Sequence, residues 1–432
     1  MHFAFLPVIL LLGLLPPPQT ESAIIALPSP APLQSGTPRL YTGPDGTVHL
    51  IYAGPGRQEG ERAIWLSKLA PESRTWSEPR LVVSTPLLLE NWADFAALTM
   101  GDDGQLWVQW FQNREADQRG YSGWMARSRD GGETWSEPVP LGHEFVSLAP
   151  LSAGRVMAVW LQSARPPRRP GTARPSRDPN APYAPSMKLD ARLMAADGST
   201  LQEWTVDPDV CTCCQTTLAV LPDDQLLVSY RAHTPKEVRD NYVARFNGEI
   251  WEHPVRLHPD NWVIPGCPVN GPAAHAQNNT LGIVWFTAAG GIARVSAKFS
   301  TDAGHTFSEA PPLDLGSPIG RVDCLTLGNN LAVASWLESS ASGNTAGIYV
   351  RSFGPDELIS EPWLIAKTSQ ARASGFPRMA LRPNGEIILA YTEDGESSRI
   401  HTVLLQGPPK PSQPAAILKN PLVLTALEFC EP

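Results

Sequence analysis

The chain has 432 residues, with 34 Lys+Arg against 43 Asp+Glu and a formal net charge of −9, which excludes a nucleic-acid binder, since that needs a basic face for phosphates. Only 18% of the residues are charged, whereas 42% are hydrophobic and 14 are Trp; this much apolar material excludes disorder over most of the length. The length would hold roughly three ordinary domains, or a single repeat fold.

The chain opens on an apolar run from Phe5 to Leu15, stopped by Pro16, Pro17 and Pro18 and followed by the small residues Ser22 and Ala23. This is the pattern of an export leader, here over residues 1–22, and it is too short to span a bilayer. No later stretch offers the roughly 18 uninterrupted apolar residues of a membrane span, and no Cys follows the apolar run to accept lipid. The expectation is a periplasmic or secreted monomer without a membrane span.

From residue 23 to 405 one pattern recurs seven times: a polar turn, then an apolar strand ending in an aromatic. The turns are Gly43-Pro44-Asp45-Gly46, Gly101-Asp102-Asp103-Gly104, Ser152-Ala153-Gly154, Pro222-Asp223-Asp224, Gln277-Asn278-Asn279, Gly328-Asn329-Asn330 and Pro383-Asn384-Gly385; the aromatics are Tyr52, Trp110, Trp160, Tyr230, Trp285, Trp336 and Tyr391. Asp-Gly and Asn-Gly turns supply the positive φ of tight hairpins, and the flanking Val, Ile, Leu and aromatics suit strands. A period near fifty residues with about four strands per repeat predicts an all-β, seven-bladed β-propeller. The seventh repeat holds only three strands, and the segment Ala23 to Leu27 is expected to supply its fourth. The seven aromatics are expected to pack between blades. Between Trp160 and Tyr230 the spacing lengthens through a Pro-rich insertion, Ala164 to Ser186, carrying Arg165, Arg168, Arg169, Arg174 and Arg177. It reads as a surface loop. A Pro-rich tail occupies 406–432.

Two repeat tails are sharper: Ser128-Arg129-Asp130-Gly131-Gly132-Glu133-Thr134-Trp135 and Ser300-Thr301-Asp302-Ala303-Gly304-His305-Thr306-Phe307. Both resemble the Asp box, S-x-D-x-G-x-T-W, of the sialidase-like (BNR-repeat) propellers, in which Asp accepts hydrogen bonds across the turn and Gly permits its backbone angles. The chain is also similar to a branch of exported sialidase-like proteins marked by Asn91-Trp92-Ala93-Asp94-Phe95, a CxCC segment (Cys211-Thr212-Cys213-Cys214), a GCPVNGP segment (Gly266 to Pro272) and Gly320-Arg321-Val322-Asp323. The resemblance implies a site on one face near the central channel, where sialidases hold a sugar carboxylate with three arginines and use a Tyr-Glu pair and an Asp acid/base. Two features depart from it: the first repeat reads Thr37-Pro38-Arg39-Leu40 where sialidases have F/Y-R-I-P, and those enzymes have six blades, the alternative count. No catalytic residue is therefore carried over.

By the register of the repeats, Arg39, Asp94, Glu144, Arg321, Asp323 and Arg378 are expected at one mouth of the channel, with Asn270 beside them, and Arg231, Glu237, Arg239 and Asp240 follow the second strand of repeat four. Asp94, Glu144 and Asp323 are the candidate catalytic acids; Arg39, Arg321, Arg378 and Asn270 are the candidate substrate binders. Carboxylates and arginines together suit an anionic sugar, or a network of structural ion pairs closing the channel.

Cys211, Cys213 and Cys214 fall within four residues, and Cys267 stands at the matching point of the next repeat. In an exported protein they read as disulfide partners, Cys267 with one of the cluster. Converging as thiolates, the four would instead hold a soft ion, copper or zinc, with His275 or His143 as a further candidate ligand. Cys324 and Cys430 are free or paired with each other. Three functions remain open: a glycan-directed protein, of exo-sialidase type if catalytic; a soft-metal or thiol-dependent module; and an interaction scaffold presenting a small-molecule ligand or partner site.

Overall fold

The computed structural model describes residues 24–114, 120–164, 185–309, 311–328, 330–341, 343–355, 358–395 and 397–410. The leader, the five insertion arginines and Cys430 lie outside the described residues. Seven four-stranded antiparallel sheets form a seven-bladed β-propeller. No helix among the described residues is long and apolar enough to cross a membrane.

Blades one to seven are numbered along the chain. Their innermost strands are Gly36–Thr42, Ala97–Met100, Glu144–Pro150, Thr217–Val220, Ala273–Gln277, Pro318–Gly328 and Arg378–Leu381. These strands surround the central channel. The ring closes as expected, with Ile24–Leu27 pairing antiparallel to Arg399–Leu405 to complete blade seven.

Each blade has two apolar faces, and the buried residues accordingly form seven clusters, one at each junction of neighbouring blades. The repeating aromatic of every blade sits on its second strand and belongs to the cluster shared with the preceding blade. Trp110 packs with Ile51 and Leu66 of blade one, Trp285 with Ala219 and Leu227 of blade four, and Trp336 with Val284 and Phe299 of blade five. Burying such a side chain contributes about 2–3 kcal/mol of transfer free energy, and its polar atom generally finds a partner: Trp285 Nε1 donates to Asp260 Oδ2 at 2.9 Å and Tyr230 Oη to Asp207 Oδ2 at 2.6 Å.

The Ser-x-Asp turns are hydrogen-bonded inwardly. Asp302 accepts from Ser300 Oγ, the His305 N–H and both donors of Thr306 at 2.6–3.1 Å; Asp130 does the same with Ser128, Glu133 and Thr134. Gly304, at φ +77°, has a second reason to be glycine: a Cβ there would stand 2.7 Å from Leu227 Cδ1 of the preceding blade. The turn thus docks one blade onto the next, with Phe307 packed at the same junction.

Partial burial opposes ionisation of Asp302, but the Thr306 and Ser300 hydrogen bonds outweigh it and pull the carboxyl down to about 2. A depressed pKa contributes stability above the unfolded value of about 4, and this is lost as pH falls through the folded value. Asp302→Ala is expected to lower the unfolding free energy by about 1–2 kcal/mol at neutral pH. In urea titrations the gap from wild type should shrink between pH 4 and pH 2.

Candidate functional site

Three innermost strands begin with a bulge. The register shifts between Gly36 and Arg39, between Glu144 and Ser147, and between Gly320 and Asp323, and each shift holds a non-glycine residue at positive φ: Thr37 at 52°, Phe145 at 52° and Arg321 at 55°. Such conformations persist only where the surroundings fix them. Two are fixed in the same way. Asp94, just ahead of blade two, accepts the Phe145 N–H of blade three at 2.8 Å; Asn270, just ahead of blade five, accepts the Arg321 N–H of blade six at 2.7 Å. Gln215 likewise spans from the Ala93 carbonyl (2.7 Å) to the Gly271 N–H (2.8 Å), and Asp323 accepts the Met379 N–H of blade seven at 2.7 Å. Polar side chains at the mouth therefore bracket blades two to seven to one another.

Inside these brackets lies a cavity of about 410 Å³ in the central channel, lined by residues that include Arg39, Asp94, Phe95, Gln215, His275, Asp323, Phe376 and Arg378. Arg378 is 5% exposed; its Nη1 lies 3.3 Å from Asp323 Oδ1, while its Nε has no partner among the described residues. Its guanidinium lies 4.3 Å from the Phe95 ring centre and 5.3 Å from that of Phe376. Arg39 approaches the same Phe95 ring at 6.0 Å and makes no hydrogen bond or ion pair among the described residues. Burial lowers both arginines, Arg378 to about 10, with Asp323 opposing the shift and, for Arg378, Arg39 reinforcing it. Two guanidinium groups thus face one carboxylate.

Arg321 is placed differently. Its Nη1 donates to the Ala371 and Gly375 carbonyls and to Ser374 Oγ, its Nη2 to the Gln370 carbonyl, and it lies 5.0 Å from the Trp92 ring centre. Its donors hold the turn that leads into blade seven, and Asn270 holds the bulge beneath it. Trp92 in turn stacks on Phe376 at 5.9 Å, and Phe376 meets Phe95 at 5.7 Å. The mouth is therefore a stack of rings between cations, with Arg321 and Arg372 at one end and Arg378 and Arg39 at the other. The sequence marks Trp92 and Phe95 only as part of the Asn91–Phe95 segment, with no role of their own, and nothing in it singles out Phe376.

Asp94 is 1% exposed, and burial, reinforced by nearby Glu144, pushes its carboxyl well above the usual range. Tyr121 donates to Asp94 Oδ2 at 3.3 Å; burial, then Asp94 and Glu144, keep the phenol protonated. Tyr121 stacks on His143, whose Nδ1 lies 3.5 Å from Glu144 Oε1. Tyr121 opens the third strand of blade two, a position that sequence register alone did not single out. His275 accepts the Thr326 N–H at 3.0 Å, and burial lowers it to about 4 against the pull of Asp323, so it is neutral at physiological pH.

The other expected cluster forms in the segment that joins blade three to blade four. Cys211 Sγ lies 4.0 Å from Cys213 Sγ and 3.8 Å from Cys214 Sγ, and Arg239 Nη1 donates to Cys211 at 3.2 Å. Hydrogen bonds from Cys213 and Cys214 outweigh burial and, with Arg239 and Arg231, hold the Cys211 thiol well below its usual range; burial and its neighbours push Cys214 up to about 12. Cys267 does not join them. It is exposed, with Sγ 3.4 Å from Thr212 Oγ1. The described cysteines are all free thiols, Cys324 among them. Glu237 bridges Arg239 and His233, and His233 also meets Asp209 at 3.1 Å. Asp240 holds the Trp262 N–H and pairs with Arg256. Arg231 donates to the carbonyls of Arg239, Asn270 and Phe286.

No protein-family profile matches the chain, and no curated protein is similar to it in sequence. Solved structures are similar in fold. A lectin of Burkholderia pseudomallei is 11% identical at a TM-score of 0.55, over 87% of this chain and 98% of its own. A protein of Dyadobacter fermentans is 13% identical at 0.48, over 90% and 98%. The endosialidase of phage phi92 is 11% identical at 0.46, over 95% and 72%. The chain thus shares its fold with a propeller that binds glycans.

Proposed function

We propose that this exported protein receives the acidic terminal sugar of a glycan at the channel mouth, and that on this ligand it acts as an exo-sialidase-type glycoside hydrolase. The observation that carries the reading is the charge of the cavity: Arg39 and Arg378 share the single carboxylate of Asp323, and Arg39 has no hydrogen-bond acceptor among the described residues. A guanidinium in that position favours a ligand carboxylate, which accepts charge-assisted, bidentate hydrogen bonds. Phe95 and Phe376 offer the apolar wall that the C–H face of a sugar ring needs. The Ser-x-Asp turns and the fold shared with a lectin agree with a glycan ligand.

For hydrolysis, Asp94 lines the cavity with its carboxyl held well above the usual carboxylate range by burial, which favours the neutral form. A neutral carboxyl can give its proton to the departing glycosidic oxygen. Tyr121, between Asp94 and Glu144, connects the acid to a second carboxylate. Arg321 and Asn270 act on the backbone beneath the site rather than on the ligand.

Binding to a glycan array and release from a sialoside reporter test the two levels separately. Arg39→Ala is expected to weaken binding of carboxylate-bearing glycans by about 10- to 100-fold, with its thermal midpoint unchanged. Asp94→Asn keeps an acceptor for the Phe145 N–H and is expected to bind but not to release. Release by wild type should fall as pH rises and Asp94 loses its proton. Binding without release in wild type would reduce the function to that of a lectin; no binding of any acidic glycan would sink the reading.

A further inference from the structure

The segment from Cys211 to Thr216 joins the outermost strand of blade three, Thr200–Val210, to the innermost strand of blade four. It is pinned along its length. The Cys211 N–H donates to the Arg231 carbonyl at 3.0 Å, Gln215 is held from both sides, and Thr216 Oγ1 donates to the Phe145 carbonyl at 2.8 Å. The backbone therefore fixes where the three thiols point. Their sulfurs all lie within 4.8 Å of one another, with Cys211 0% and Cys214 2% exposed and Cys213 partly buried.

Three thiolates bound to a common ion at about 2.3 Å stand about 4 Å apart. Disulfide-bonded sulfurs stand at about 2.05 Å. The observed 3.8 and 4.0 Å match the first spacing. No fourth Cys, His, Asp or Glu joins the three among the described residues. What reaches the sulfurs instead is a cation, Arg239, and behind it Arg231, whose Nη1 donates to the Arg239 carbonyl. These charges suit a centre that remains anionic after the metal binds, as three thiolates around a monovalent ion do. Structural zinc takes four ligands in a tetrahedron, whereas soft thiolates select Cu(I), which is satisfied by three.

We propose that Cys211, Cys213 and Cys214 form a three-thiolate site for Cu(I), set against the wall of the central channel and flanked by Arg239 and Arg231. The ion enters past Cys213, the least buried of the three. Gln215 and Thr216, the next two residues, line the channel cavity, so the ion lies behind the ligand site. Binding displaces up to three thiol protons and involves no change in oxidation state. The site goes beyond the glycan reading and stands or falls without it.

The full chain, purified anaerobically and reduced, would be titrated with Cu(I) against the chromophoric chelator bicinchoninate. One equivalent should leave the chelator. Cys213→Ser and Cys214→Ser should each weaken uptake by at least about tenfold, while Cys267→Ser and Cys324→Ser take up copper as wild type does. Copper X-ray absorption of the wild-type complex needs no variant and should read three sulfur neighbours. The proposal is overturned if the chelator keeps its copper, if Cys213→Ser binds as wild type, if fewer than three sulfurs surround the ion, if equimolar Zn(II) displaces it, or if mass analysis of the exported protein finds Cys211 and Cys214 joined as a disulfide.

Discussion

A four-stranded sheet with two apolar faces has no layer of its own to cover them, and every other property of this molecule depends on how that is resolved. Each blade lies against its two neighbours, and the seven buried clusters at the junctions are the core. Because apolar burial is non-directional, it sets the blades side by side without fixing their height or tilt. Directional contacts do that. The inwardly bonded Asp130 and Asp302 turns dock the outer parts of the blades, and Asp94, Gln215, Asn270 and Asp323 bracket the inner parts.

The brackets explain why the mouth is polar and yet well packed. A bulge at the start of an innermost strand turns a backbone N–H away from the ladder, and the side chain of the preceding blade accepts it. The same bulges turn Phe145 and Arg321 out of regular alternation, as the blade-one bulge does Thr37. What remains facing the channel after the brackets are made is a small set: two arginines with one carboxylate between them, the rings of Phe95 and Phe376, and the buried carboxyl of Asp94. A residue at the mouth is thus read by what its donors and acceptors already hold. By that measure Asn270 and Arg321 belong to the frame and Arg39 to the cavity, while Asp94 belongs to both.

The blade count was legible because each repeat carries its own turn and its own buried aromatic, both local signals. The closure of blade seven by Ile24–Leu27 was legible by subtraction, as the one strand the seventh repeat lacked. The mouth was legible as a neighbourhood, since register places Arg39, Asp94, Asp323 and Arg378 on one face. Register does not say where a side chain points. Arg321 is drawn onto the turn at 370–375, and Cys267 reaches Thr212 rather than the three thiols. Asn270 and Asp94 do the same work three blades apart, although one is an amide and the other an acid, so residue type did not reveal it.

The joint in blade seven also bears on how the molecule is made. Leu27 and Thr402 touch across 375 residues of chain, so a strand near the start must wait, unpaired and apolar, until nearly the whole ring has been synthesised. Contacts so distant in sequence form late, because the loop they close is long. Until then the first and last blades each expose a face that only the other can cover, and the incomplete ring is a row of sheets with two open ends. Since the mouth takes Arg39 from blade one and Arg378 from blade seven, the paired cations assemble only in that last step. An unfinished chain lacks that pair.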